Sequence, residues 1–202
     1  PKAQALALAK AGYDDFSARQ KAALAEGRHI GIGIGNYVEG TGLGPFEGAT
    51  IRILTNGRVA IYTGAAAAGQ AHRTTLAQIC ADELNVDVTD IDVVGGDTGL
   101  MPRGAGTYAS RITVNAGSSV RVASTELRGK ALALAAAKFD VKPEDVELTH
   151  GAVRIKGEQG DSITFEELAK MTSGMPGYAL PKGVKPDLEA SGYFTPPQAT
   201  YS

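Results

Sequence analysis

The run from Ser110 to about Lys138, SRITVNAGSSVRVASTELRGKALALAAAK, constrains the fold more than any other stretch of this chain. It reads as one long helix, with Val120, Ala123, Leu127, Ala131 and Leu134 on a single inner face. Its many glycines, alanines and serines allow neighbouring elements to approach its backbone closely. An apolar stripe of that length has to be covered, and the other segments supply strands for it. ATIRILTNGRVAIYTG (49–64) is two alternating runs joined at Asn56 and Gly57, a strong hairpin signal, and VELTHGAVRIKG (146–157) turns at His150 and Gly151. IDVVGGD (91–97) reads as a strand leading into a glycine-rich loop. In HIGIGIGNYVEG (29–40), Ile30, Ile32 and Ile34 alternate with glycine as in a buried strand.

The remaining helices have clear limits. Residues 2–27 are helical, broken at Gly12 and stopped at Gly27. Residues 70–84 carry Leu76, Ile79, Cys80 and Leu84 on one stripe, and 164–171 is a short helix capped by Ser162 or Thr164. The predicted fold class is therefore α+β: β-hairpins and a short mixed sheet packed against long helices. A helical lead-in (1–27) precedes an α+β core (28–173), and 174–202 is an extended tail rich in proline and glycine, with an extended stretch around Tyr193.

Composition removes several functions. Twenty basic and 22 acidic residues give a net charge of -2, which offers no electrostatic case for nucleic acid or an anionic membrane. No apolar run approaches the roughly 20 residues of a membrane span. One cysteine excludes a disulfide framework and fits a reducing, cytoplasmic setting. The three histidines are scattered without metal-ligand spacing. The chain starts at Pro1 and ends in the extended GYFTPPQATYS, as expected of a piece of a longer protein.

Two loops carry the candidate chemistry. PRGAGTYASR (102–111) offers backbone N–H groups exposed by glycine and then a helix start, a natural anion site to which Thr107, Ser110, Arg103 and Arg111 can add donors and charge. The same residues also suit an ordinary loop, with Ser110 as N-cap and Arg111 solvated. GAAAAGQAHRTT (64–75) repeats the architecture, with Gln70 supplying an amide at a helix start. Two such loops are able to converge on one polar ligand. GIGIG (31–35) lacks the helix and third glycine of a dinucleotide fingerprint and reads as strand. Glu158, in GEQG (157–160), reads as a polar turn, and no nucleophile–base pair or other catalytic residue emerges from spacing.

The stretches GIGIGNYVEGTGLGPFEGATIRI (31–53), GQAHRTTLAQICADEL (69–84), GGDT (95–98) and GAGTYASRITVNAG (104–117) together resemble the molybdopterin-binding large subunit of the xanthine dehydrogenase/aldehyde oxidase family. The likeness is greatest to bacterial subunits of the carbon monoxide dehydrogenase type. It implies that this chain is part of the second molybdopterin-binding domain. It also implies that Gly69, Gln70 and Ala71 on one loop, and Gly106, Thr107, Tyr108, Ala109, Ser110 and Arg111 on the other, grip the pyranopterin and its pyrophosphate. The implied cofactor is molybdopterin cytosine dinucleotide with molybdenum. The implied partners are the remainder of the molybdenum subunit and the FAD and iron–sulfur subunits. The parent enzyme would hydroxylate an aldehyde, an N-heterocycle or carbon monoxide. The family's active-site glutamate belongs to a later segment, so the isolated chain is expected to be inactive. Two positions depart from the family pattern: Ala71 stands where a glycine usually follows Gln70, and Ile112 where another hydroxyl residue is common. These departures support an alternative, a diverged structural or assembly module that keeps the fold without binding cofactor.

Overall fold

The computed structural model describes residues 2–37, 40–101, 103–158 and 160–197. The first compact unit, Pro1–Glu39, contains α1 (Lys2–Ala11) and α2 (Phe16–Ala25). Each ends close to a glycine with positive φ, Gly12 at +63° and Gly27 at +74°, as the sequence predicts. The Arg19 guanidinium ties the first stop, donating to Ala11 O at 2.7 Å and Gly12 O at 3.0 Å. The strand expected at 29–40 does not form. Residues 29–37 are irregular, Ile32 and Ile34 are exposed, and Val38 and Glu39 lie outside the described residues. Alternation alone does not make a strand. Its N–H and C=O groups need a ladder, and no described strand pairs with this segment.

The second unit, Gly40–Ser202, holds the core. It runs β1 (Glu47–Ile53), β2 (Val59–Thr63), α3 (His72–Leu84), β3 (Ile91–Gly95), a π-helical segment (Ile112–Gly117), α4 (Ser118–Phe139), β4 (Val146–Thr149), β5 (Ala152–Ile155), β6 (Ser162–Thr164), α5 (Phe165–Thr172) and β7 (Glu189–Phe194). One sheet has the order β3-β2-β1-β7, and a second, smaller one is the meander β4-β5-β6. Within the first, β1 is antiparallel to both β2 and β7, whereas β2 and β3 are parallel with α3 as their crossover. The sheet is thus short and mixed. The tail expected at 174–202 is only partly a tail, because β7 inside it completes the sheet; its last residues, 198–202, lie outside the described residues.

The long helix has the expected inner face: Val120, Ala123, Leu127, Ala131 and Leu134 are all at most 2 % exposed. Burying three such aliphatic side chains contributes roughly 5–9 kcal/mol before entropy. Its start differs. Ala109 and Ser110 take left-handed conformations (φ 47° and 48°), and a π-helical turn precedes the regular helix at Ser118. The small residues serve close packing as read. A Cβ on Gly192 of β7 would lie 2.4 Å from Ser119 O and 2.7 Å from Ala123 N, so only glycine lets the strand lie on this helix. Cys80 is fully buried on the α3 stripe, and α5 is capped by Thr164 reciprocally with Glu167.

Candidate cofactor site

The topology dictates where a site can be. Parallel neighbours β2 and β3 release their loops at the same sheet edge, where Thr63 pairs with Gly95. The start of β1 and the end of β7 arrive at that edge as well, with Ala49 opposite Thr63 and Glu47 opposite Phe194. Crevices beyond the carboxyl ends of parallel strands are where open sheets with crossover helices hold ligands.

Both candidate loops meet there. The Thr107 hydroxyl of the second loop donates to Ala66 O of the first at 2.6 Å. Gly64 and Gly104 form the crossing: a Cβ on Gly64 would lie 2.4 Å from both Arg103 O and Gly104 Cα, so a side chain at either would force the loops apart. Gly69 (φ +98°) and Gly106 (φ +92°) are different. A Cβ on either meets no atom within 4 Å, so on each loop a bare backbone turn faces open space. Gln70 is exposed; its Oε1 accepts from Ala68 N at 2.7 Å, which leaves the side-chain NH2 as a donor. Ala71 (φ 58°) precedes α3, and its side chain does not cap the helix. The following His72 is buried, and its Nδ1 has no hydrogen-bond partner in the protein. An uncapped 13-residue helix start beside an orphaned imidazole nitrogen suits an anionic, acceptor-rich ligand.

Of the other second-loop residues, Tyr108 and Ser110 are exposed, and Ala109 and Thr107 are half-buried. Tyr108 lies over the Arg111 guanidinium, 5.1 Å from ring centroid to Cζ. Left-handed φ at Ala71, Ala109 and Ser110, three of the six non-glycine residues so placed among those described, puts backbone strain on both loops.

Arg111 is not solvated. It is fully buried and ion-paired to the equally buried Glu47. Its remaining donors go to Leu43 O (3.1 Å), Gly106 O (2.8 Å) and Pro45 O. As a source of free charge for an anion, Arg111 is therefore corrected to an internal strut. Ile112 is likewise in the core, 7 % exposed, so its side chain takes no ligand-facing donor away from the loop; the next residue, Thr113, is exposed. Arg103 is exposed and lines an open cleft of about 350 Å³ with Phe46, Tyr193 and Thr195, while Pro102 lies outside the described residues.

Sequence reasoning missed Glu47, Asn115 and Ser119. The Asn115 amide donates to Pro45 O at 3.0 Å and the Ser119 hydroxyl to Glu47 O at 2.8 Å. Arg111, Asn115 and Ser119 are spaced by four along one helical face, a polar stripe the sequence does contain. Glu47 gave no such signal, since an acid at the start of a strand reads as exposed.

A family model described as a molybdopterin cofactor-binding domain matches residues 6–202, and the chain belongs to that family. Among curated relatives, it is 37% identical over its full length to the carbon monoxide dehydrogenase large chain of Afipia carboxidovorans, of which it covers 26%. It is 38% identical over 81% of its length to the 6-hydroxypseudooxynicotine dehydrogenase complex subunit gamma of Paenarthrobacter nicotinovorans, covering 20% of that protein. Among solved structures, carbon monoxide dehydrogenase from Oligotropha carboxidovorans superposes with a TM-score of 0.69 at 36% identity over 98% of this chain and 26% of its own. Quinoline 2-oxidoreductase from Pseudomonas putida 86 gives 0.69 at 30% identity, covering 95% of this chain and 26% of its own. The chain thus spans about a quarter of the length of these proteins. Over that span it is a molybdopterin cofactor-binding domain.

Proposed function

We propose that the 64–71 and 103–111 loops together form one wall of the cofactor site in a bacterial molybdenum hydroxylase. They grip the pyranopterin and pyrophosphate of molybdopterin cytosine dinucleotide. The observation that carries this reading is the pair of bare glycine turns at Gly69 and Gly106, one on each of two loops in contact, both facing open space. Peptide N–H groups there and the Gln70 amide give donors to a diphosphate and a pterin, and Ser110 lies exposed on the second loop. Thr107 joins the loops, and Tyr108 covers Arg111.

When bound, the cofactor supplies the redox chemistry of hydroxylating an aldehyde, an N-heterocycle or carbon monoxide with oxygen from water. This chain's residues bind and orient it and contribute no catalytic side chain. The remainder of the large subunit completes the site, and FAD and iron–sulfur partners in the cytoplasm accept the electrons. Amide hydrogen exchange on the full-length parent, with cofactor and after its removal, tests the reading. Slower exchange in 64–71 and 103–111 on loading is expected; equal exchange in both loops would refute it.

A further inference from the structure

Glu47 meets the second open glycine turn from its buried side and holds it in shape. Its carboxylate is wholly buried, and one oxygen, Oε1, accepts both from Ala105 N at 2.9 Å and from the Arg111 guanidinium. The same Nη1 of Arg111 also donates to Gly106 O at 2.8 Å. The peptide groups on either side of the Ala105–Gly106 pair are thereby fixed from beneath: 104–105 through the N–H of Ala105 by Glu47, and 106–107 through the carbonyl of Gly106 by Arg111. With that N–H and that carbonyl held inward, the outer side of the Gly106 turn is left to face open space.

The anchor is itself tied on two sides. Glu47 starts β1 opposite Phe194 of β7, and its main-chain carbonyl accepts from Ser119 at the head of α4. The other carboxylate oxygen, Oε2, is buried and without a hydrogen-bond partner, a costly arrangement that packing alone does not require. The charges of Glu47 and Arg111 cancel, so this buried pair presents peptide dipoles and no net charge, and the loop's exposed cation is Arg103.

We infer that Glu47 is a positioning residue for the cofactor loop, acting through Ala105 and Arg111 to preset the Gly106 turn. This rests on the reading that the loop holds the cofactor. The test compares the full-length parent with its Glu47→Asp and Glu47→Gln variants. For each, amide exchange across 104–110 and the rate of molybdenum and CMP loss from the purified protein are measured. Glu47→Asp keeps the charge but is too short to serve both donors at their present distances, and Glu47→Gln removes the charge. Exchange in 104–110 and cofactor loss are expected to rise together, several-fold for Asp and tenfold or more for Gln, while exchange in the β4-β5-β6 sheet is unchanged. Should the Gln variant fail to fold, the Asp variant gives the same comparison alone. A folded variant with wild-type exchange in 104–110, or with faster exchange there and wild-type cofactor retention, would overturn the inference. A wild-type parent that carries neither molybdenum nor CMP would instead refute the proposed function on which it rests.

Discussion

Ala71 stands at φ 58°, a conformation that strains any residue with a Cβ, at the point where the first loop opens α3. Glycine would relieve about 1–2 kcal/mol of strain there and return about 0.4–1 kcal/mol through a freer unfolded chain. Ala71→Gly is therefore expected to raise stability by about 0.5–1 kcal/mol, seen as a higher midpoint in denaturant unfolding; a lower midpoint would contradict it. Cys80 gives a pH-dependent case. Burial pushes its thiol up to about 11 from an ordinary value of 9.0, with the Ser124 hydroxyl pulling the other way. Below pH 9 the thiol is protonated in both states. Between pH 9 and 11 the unfolded chain releases the proton while the folded chain keeps it, so stability falls with rising pH by up to about 3 kcal/mol. A Cys80→Ala variant should lose correspondingly less over that window in equilibrium unfolding. At this scale the sequence was legible where burial follows pattern, as for Cys80 and the stripe of α4. It was not legible for Glu47 and Arg111, which are charged and whose mutual burial depends on loops meeting across 64 positions.

Hairpins and helices form where local signals in the sequence decide them. Gly57 closes the first hairpin at φ +81°, and His150 and Gly151 both take positive φ in the second. Elements whose existence depends on a distant partner were harder. The extended stretch around Tyr193 became β7 because β1 offers it a ladder, whereas 29–37 remained irregular because no described strand does so. The sequence predicts continuous helix at the junction of α4 with the second loop, and two left-handed residues followed by a π-helical turn replace that start. The contact between β7 and α4 has a sharp test. Gly192→Ala places a methyl against two backbone atoms of α4, which cannot yield as a side chain would. A loss of about 3 kcal/mol is expected, in the range of overpacked cores or above it, measured by denaturant unfolding. A loss under about 0.5 kcal/mol would mean that the strand does not lie on the helix as described.

For the molecule as a whole, the fold places four chain segments at one sheet edge: the entry to β1, the exits of β2 and β3, and the exit of β7. Two of them meet as glycine-rich turns with open space beside them, and the chain that carries them matches a molybdopterin cofactor-binding domain over residues 6–202. The chain spans about a quarter of the length of its relatives, and on the proposed reading the rest of the wall and the chemistry belong to the remainder of the large subunit. The isolated chain is accordingly expected to show no dye-linked dehydrogenase activity with aldehydes, purines or carbon monoxide, and reproducible turnover would contradict that division of labour. The most direct measurement is the molybdenum and nucleotide content of the purified full-length parent. About one molybdenum and one CMP released on acid hydrolysis per large subunit are expected, both falling sharply when Gly106→Val fills the open turn. A folded parent that carries neither, or a Gly106→Val variant that retains both in full, would contradict the claim that these loops hold the cofactor.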